Sequence, residues 1–196
     1  MLSYKESLKI LKESNALLEG HFILSSGLHT GSYIQCAKLL SFPNKAQAIC
    51  NSLAAKIKEN TKDIDLILSP ALGGTIIGYE IGKILNIETI FAERVEGKFH
   101  LRRGFEIKVN SKVLIVEDVI TTGKSSLECA NLIKENKAVL AGFACIIDRS
   151  NVDDLKIKTK IISQIKISIP VFNASELPDS LKKLKVTKPG SRYLKK

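Results

Sequence analysis

The chain has 196 residues, 44% hydrophobic and 26% charged, with 30 Lys/Arg against 20 Asp/Glu for a formal net charge of +10. That length suits one domain, and that composition excludes a disordered or fibrous chain and promises an ordinary packed core. The charge is uneven: residues 156–196 hold eleven Lys/Arg and two acids, a balance of +9 that leaves +1 for the preceding 155 residues, so the body of the chain does not read as a nucleic-acid binder and the Lys-rich end reads as solvated surface.

Residues 2–18 space Leu8, Leu11 and Leu18 as an amphipathic helix does. No apolar block or small-residue cleavage site marks this end as a signal peptide, so a cytoplasmic protein is expected. Residues 21–40 are less regular, with Gly27 and Gly31 punctuating two short apolar runs. Pro43 opens a helix with Ala46, Ile49, Leu53 and Ile57 along one face. Four apolar runs, 66–68, 89–92, 113–116 and 138–147, read as buried parallel strands, with helices over 75–85 and 124–137. The longest run, 138–147, falls well short of the roughly 18 residues of a membrane span. This alternation predicts an α/β fold, a parallel sheet flanked by helices, as a single domain over 1–196. Cys36, Cys50, Cys129 and Cys145 are far apart with no CxxC pair, which suits buried thiols better than a zinc site or a disulfide framework.

In open parallel sheets ligands bind outside the carboxyl ends of the strands. SPALGGT follows residue 68, ERVEGKFHLRRG follows Ala92, EDVITTGKS follows Val116, and Asp148-Arg149 follows Ile147. Carboxylates, glycines, hydroxyls and cations thus share one edge, a set that suits a phosphorylated sugar. The stretch VLIVEDVITTGKS, 113–125, is the most informative. An apolar strand delivers Glu117 and Asp118 to the edge, and a turn rich in hydroxyls and glycine enters a helix whose N–H groups can cradle a phosphate. Ordinary capping explains the Thr, Ser and Gly but not two adjacent acids. A Walker A loop is excluded because Asp118 stands where its first Gly belongs, and Gly73, Gly74 and Gly78 lack the GxGxxG spacing of a dinucleotide fold.

The 113–125 stretch resembles the phosphoribosyl pyrophosphate (PRPP) motif of type I phosphoribosyltransferases. The chain is similar to the orotate phosphoribosyltransferase branch of that family at HFILSSG (21–27), YIQCA (33–37), FAER (91–94), LRRGF (101–105) and KPGSR (188–192). The resemblance implies the family fold, with a small N-terminal hood from 1–40 and a mobile catalytic loop at 93–104. It implies transfer of a phosphoribosyl group from PRPP to orotate, giving orotidine 5′-monophosphate and pyrophosphate in de novo pyrimidine synthesis. Under it Lys98 and Asp118 are the catalytic residues, and Glu117 and Asp118 bind the ribose hydroxyls. Val119, Ile120, Thr121, Thr122, Gly123, Lys124 and Ser125 wrap the 5′-phosphate. Ala71, Leu72, Gly73, Gly74 and Thr75 contact the pyrophosphate, joined by Arg94 and His100. Ser25, Ser26, Gly27 and Thr121 meet orotate, and Arg149 pairs with its carboxylate. Mg²⁺ is the implied cofactor, bound mainly through the substrate near Glu117 and Asp118 rather than by a ligand set of its own. The implied assembly is a homodimer with loop 93–104 acting in trans, with no nucleic-acid or membrane partner.

Three positions depart from one subgroup of the family, which has Lys where this chain has Ser25 and Gly73 and an aromatic pair where it has Ile34-Gln35. Arg102 and Arg103 are either the cations that make up the difference or a solvated pair at a loop end. His100 reads as an exposed loop histidine on its own chemistry, since neutral imidazole adds little to pyrophosphate binding, and His21 and His29 read as local hydrogen-bonding groups. Two alternatives stand beside the main reading. A phosphoribosyltransferase for a purine or other base should lack the 21–37 segment and Arg149, and a non-catalytic RNA- or DNA-binding regulator has no use for Lys98.

Overall fold

The computed structural model of the protein describes residues 1–24, 26–151 and 155–188. Helix α1 (Tyr4–Glu13) is opened by a capping box in which Ser3 and Glu6 bond each other's backbone N–H, an arrangement worth about 1 kcal/mol. The helical spacing expected as far as residue 18 stops here. Ser14 closes the helix, Asn15 turns the chain at φ 54°, and Leu17 and Leu18 begin a strand instead. Strands β1 (Leu17–Ile23) and β2 (His29–Ile34) form an antiparallel hairpin, followed by α2 (Cys36–Leu40) and α3 (Pro43–Asn60). Next come β3 (Leu66–Pro70), α4 (Gly73–Leu85), β4 (Thr89–Val95), β5 (Lys98–Leu101), β6 (Lys112–Ile120), α5 (Lys124–Glu135) and β7 (Val139–Asp148). Strands β8 (Ile161–Lys166) and β9 (Val171–Phe172), helix α6 (Asp179–Lys182) and strand β10 (Val186–Thr187) complete the described chain.

The main sheet has the order β5-β4-β3-β6-β7-β8, parallel except where β5 returns antiparallel along β4. Successive side chains of a strand point to opposite faces, and the core divides accordingly. Ile67, Leu114, Val116, Ala144 and Ile146 pack with Ile49, Leu53 and Ile57 of α3 and Ile77 and Ile81 of α4. Leu66, Leu68, Val113, Ile115, Phe143 and Cys145 pack on the other face with Cys129 and Ile133 of α5. All four cysteines are free and buried.

The segment expected as a loop over 93–104 contains a β-hairpin, because the apolar residues of 89–92 continue through Phe99 and Leu101 and pair Ala92 with Leu101 and Arg94 with Phe99. Strand β8 was not anticipated from its short apolar runs between lysines. A second sheet, β10-β1-β2-β9, joins residues 17–34 to segments from far down the chain. His21 and His29 are buried within it, bonded ring to ring at 2.7 Å between Nε2 and Nδ1.

Candidate active site

Chain order in the main sheet reverses direction between β3 and β6: the crossover from β3 leads outward to β4, while β6 lies on the other side of β3. The carboxyl ends of strands on either side of such a reversal bound an open crevice. Here those ends carry residues 71–75 and 117–125.

After β3, Ala71 donates its N–H to Ala92 O at 2.8 Å, the Ala71–Leu72 peptide is cis, and α4 begins at Gly73. A Cβ on Gly73 would lie 2.7 Å from Asp118 Oδ1, so a residue with a side chain there collides with the carboxylate unless one of them moves. The loop and Asp118 therefore touch directly across the crevice. Thr75 Oγ1 is buried at the start of α4 without a hydrogen-bond partner among the described residues.

Adjacent residues of β6 face opposite ways, which separates the two acids. Asp118 turns toward Gly73 and accepts from the Val119 N–H at 2.9 Å. Glu117 turns toward α5, where Ser126 Oγ donates to its Oε2. Burial pushes both carboxyls above their usual range, Glu117 to about 7 with a smaller upward push from the neighbouring Asp118 charge. Beyond β6, Gly123 has φ +74°, a left-handed conformation that lets the chain turn into α5. Thr122 Oγ1 accepts from the Lys124 N–H at 3.4 Å and Thr122 O accepts from Lys156 N–H at 3.2 Å. Residues 121–125 thus surround the N-terminus of α5 with hydroxyls and N–H groups, a form suited to an oxyanion.

Arg149 follows β7 and donates its N–H to Ile120 O at 2.9 Å, beside that turn. Burial draws its guanidinium below the usual range, and Tyr33 of β2 acts against that shift. Sequence reasoning noted Tyr33 only as part of a matching string. It missed Ser126 as well, because a serine in the first turn of a helix reads as a cap.

Other expected residues stand apart from this cluster. Arg94 lies on the α5 side of the β4–β5 hairpin, with Nη2 2.6 Å from Glu128 Oε2, Nη1 donating to Gly97 O, and its guanidinium carbon 4.1 Å from the centre of the Phe99 ring. Lys98 and His100 are exposed on β5. Arg103 and Arg102 both approach Glu93, at 2.9 and 3.9 Å, so in this state they answer an acid of their own hairpin. Ser26 and Gly27 form the β1–β2 turn, Gly27 donating to Leu24 O, and no hydrogen bond among the described residues ties that turn to Arg149. Ser25 and residues 189–192 of the terminal match lie outside the described residues. A cavity of about 620 Å³ lined by Asp65, Glu88, Glu106 and Lys108 lies at the opposite, amino end of the strands, away from this chemistry. Among the described residues no three His, Cys, Asp or Glu gather to hold a metal ion.

A family model described as "Phosphoribosyl transferase domain" matches residues 42–180. The chain is similar to the orotate phosphoribosyltransferase of Erythrobacter litoralis, 43% identical over 189 residues covering 96% of this chain and 97% of the relative. It is similar also to that of Parvibaculum lavamentivorans, 44% identical over 190 residues covering 95% and 97%. Among solved structures, the orotate phosphoribosyltransferase of Aeropyrum pernix superposes with a TM-score of 0.68 at 20% identity, covering 81% of this chain and 92% of that one. An adenine phosphoribosyltransferase from Thermoanaerobacter pseudethanolicus superposes at 0.59 and 17% identity, covering 69% and 88%. At those identities the structural likeness speaks for the fold alone.

Proposed function

The chain belongs to the phosphoribosyltransferase family and, within it, to the orotate phosphoribosyltransferases, and from that premise we propose how its own residues transfer the phosphoribosyl group of PRPP to orotate. The products are orotidine 5′-monophosphate and pyrophosphate, in pyrimidine synthesis. The observation that supports this assignment of roles is that the carboxyl ends of β6 and β7 bring the backbone of Glu117, Asp118, the 121–125 turn and Arg149 together, with Arg149 N–H bonded to Ile120 O.

The 5′-phosphate occupies the turn from Thr121 to Ser125, where N–H groups and hydroxyls converge at the start of α5. Glu117 and Asp118 bind the ribose hydroxyls, and the diphosphate lies along residues 71–75. Arg149 pairs with the orotate carboxylate, bringing N1 of the base toward C1 of the ribose. Departure of pyrophosphate builds positive charge on the sugar and negative charge on the leaving group, so positioned cations lower the barrier more than a general base would. Lys98 and Arg94 of the hairpin supply such cations, and closure of the hairpin keeps water from the sugar. Mg²⁺, when bound through the diphosphate near Glu117 and Asp118, neutralises part of the leaving charge.

We also read the enzyme as a homodimer whose hairpins act in trans. Leu72, Ile76 and Tyr79 form an exposed apolar stripe on α4, 87%, 55% and 68% accessible, beside the pyrophosphate loop, and Arg94 faces α5 rather than the cleft at Asp118. Four free, buried thiols suit a reducing cytoplasm, and no helix among the described residues is long and apolar enough to cross a membrane.

The test is incubation with PRPP, Mg²⁺ and one base at a time. Orotate absorbance falls with stoichiometric release of pyrophosphate, while adenine and hypoxanthine are left unchanged. Turnover of a purine without turnover of orotate would assign the chain to another branch, and no turnover of any base would refute the reading.

A further inference from the structure

Ser126 is the third residue of α5 and is fully buried. A buried serine in a helix ordinarily returns its hydroxyl to the carbonyl one turn back. Two serines of this chain do so, Ser7 to Ser3 O at 2.9 Å and Ser14 to Ile10 O at 2.9 Å. Ser126 does not: its Oγ donates to Oε2 of Glu117, nine residues earlier at the end of β6. The helix thus commits a buried hydroxyl to a carboxylate.

The surroundings make that bond consequential. Glu117 is only 7% exposed. Cys145 stands opposite it in the β6–β7 register, and Cys129 lies one turn further along α5. Burial raises both thiols, and the Glu117 charge adds to the effect, so they are weak partners for an anion. No Lys, Arg or His forms an ion pair with Glu117 among the described residues. One hydroxyl is therefore the hydrogen-bond partner of a carboxylate whose other neighbours are two thiols and the adjacent Asp118 charge. It holds a single oxygen, and Oε1 has no protein donor among the described residues.

We propose that Ser126 is a positioning residue for the sugar of PRPP: by fixing Oε2 of Glu117 toward α5 it holds Oε1 at the crevice, ready to accept from a ribose hydroxyl. The proposal rests on the reading that Glu117 meets the ribose. A carboxylate already held in one rotamer loses less conformational freedom when substrate arrives, and without Ser126 it faces the cleft with no partner of its own. Ser126, fully buried, acts through Glu117 rather than on the sugar itself.

The experiment measures PRPP binding to the full chain by calorimetry with Mg²⁺ and no base, alongside steady-state kinetics with orotate. Ser126→Ala is expected to weaken PRPP binding about tenfold, the size of one hydrogen bond to a charged group. KM for orotate at saturating PRPP and kcat should stay within about threefold of wild type. In a Glu117→Ala background the same substitution should change PRPP binding less than twofold, since the group it positions is gone. A folded Ser126→Ala protein that binds PRPP as wild type does overturns the proposal. So does an equal loss in the Glu117→Ala background, which would mean Ser126 acts through packing alone. If Ser126→Ala does not fold, Ser126→Cys, similar in size with a weak donor, is read by the same criteria. Failure of the wild type to turn over orotate refutes the functional reading and leaves this comparison intact, because it is scored on PRPP binding.

Discussion

At the scale of single residues, the site turns on two neighbouring acids that the strand sends in opposite directions. Glu117 enters the apolar layer under α5, whereas Asp118 meets the loop after β3 at Gly73. Folding raises the Glu117 carboxyl from its ordinary 4.5 to about 7 by burial, so between those values the folded chain keeps a proton that the unfolded chain has released. The protein accordingly loses stability as pH rises across that window, by on the order of 3 kcal/mol at most, and Asp118, also raised by burial, pushes the same way. We expect Glu117→Gln to flatten this dependence and to melt above wild type at pH 8 in buffer without Mg²⁺ or PRPP. Melting curves of the two proteins that run parallel from pH 4.5 to 8 would show that the carboxyl is solvated. The doublet was legible in the string VEDV, but its two environments were not, because they depend on which helix covers which face.

Among the elements, the β4–β5 hairpin carries most of the cations assigned to the leaving group and holds several of them on partners of its own. Arg94 is tied to Glu128 of α5 and stacked on Phe99, while Arg102 and Arg103 approach Glu93. The Arg94–Glu128 pair is partly exposed, with side chains 37% and 27% accessible, and such pairs contribute about 0.2–1 kcal/mol. If Arg94 is to reach pyrophosphate, that contact has to open. Glu128→Gln is therefore expected to lower KM for PRPP about two- to fivefold with little change in melting temperature. An unchanged KM would mean that Arg94 keeps its place on α5 throughout the reaction. The loop at 93–104 was an implication of the family resemblance, yet within it Phe99 and Leu101 alternate with Lys98 and His100 as a strand does.

For the molecule as a whole, the stripe of Leu72, Ile76 and Tyr79 is an apolar surface left exposed. Their spacing lines one face of α4, opposite the face where Gly74, Ile77, Gly78, Ile81 and Gly82 are buried against the sheet. A contiguous apolar face beside the crevice suits a second copy of the chain. Replacing Ile76 and Tyr79 together with Glu should shift sedimentation from dimer to monomer, and should reduce turnover at least tenfold if the hairpin serves the partner's site. A monomeric variant with full activity would remove the trans arrangement, and a variant that remains dimeric would locate the interface elsewhere.

The sequence by itself determined the alternation of apolar strands and helices, the edge of the sheet where chemistry would collect, and the 117–125 segment, because strand and helix periods and turn residues are local properties of the chain. Only the tertiary structure decided that residues 17–34 form a sheet with strands from 171–172 and 186–187, that Gly73 abuts Asp118, and that Ser126 serves Glu117 rather than its own helix. Each of those joins residues whose proximity follows from how layers stack and which face a neighbour covers, a relation no window of sequence contains.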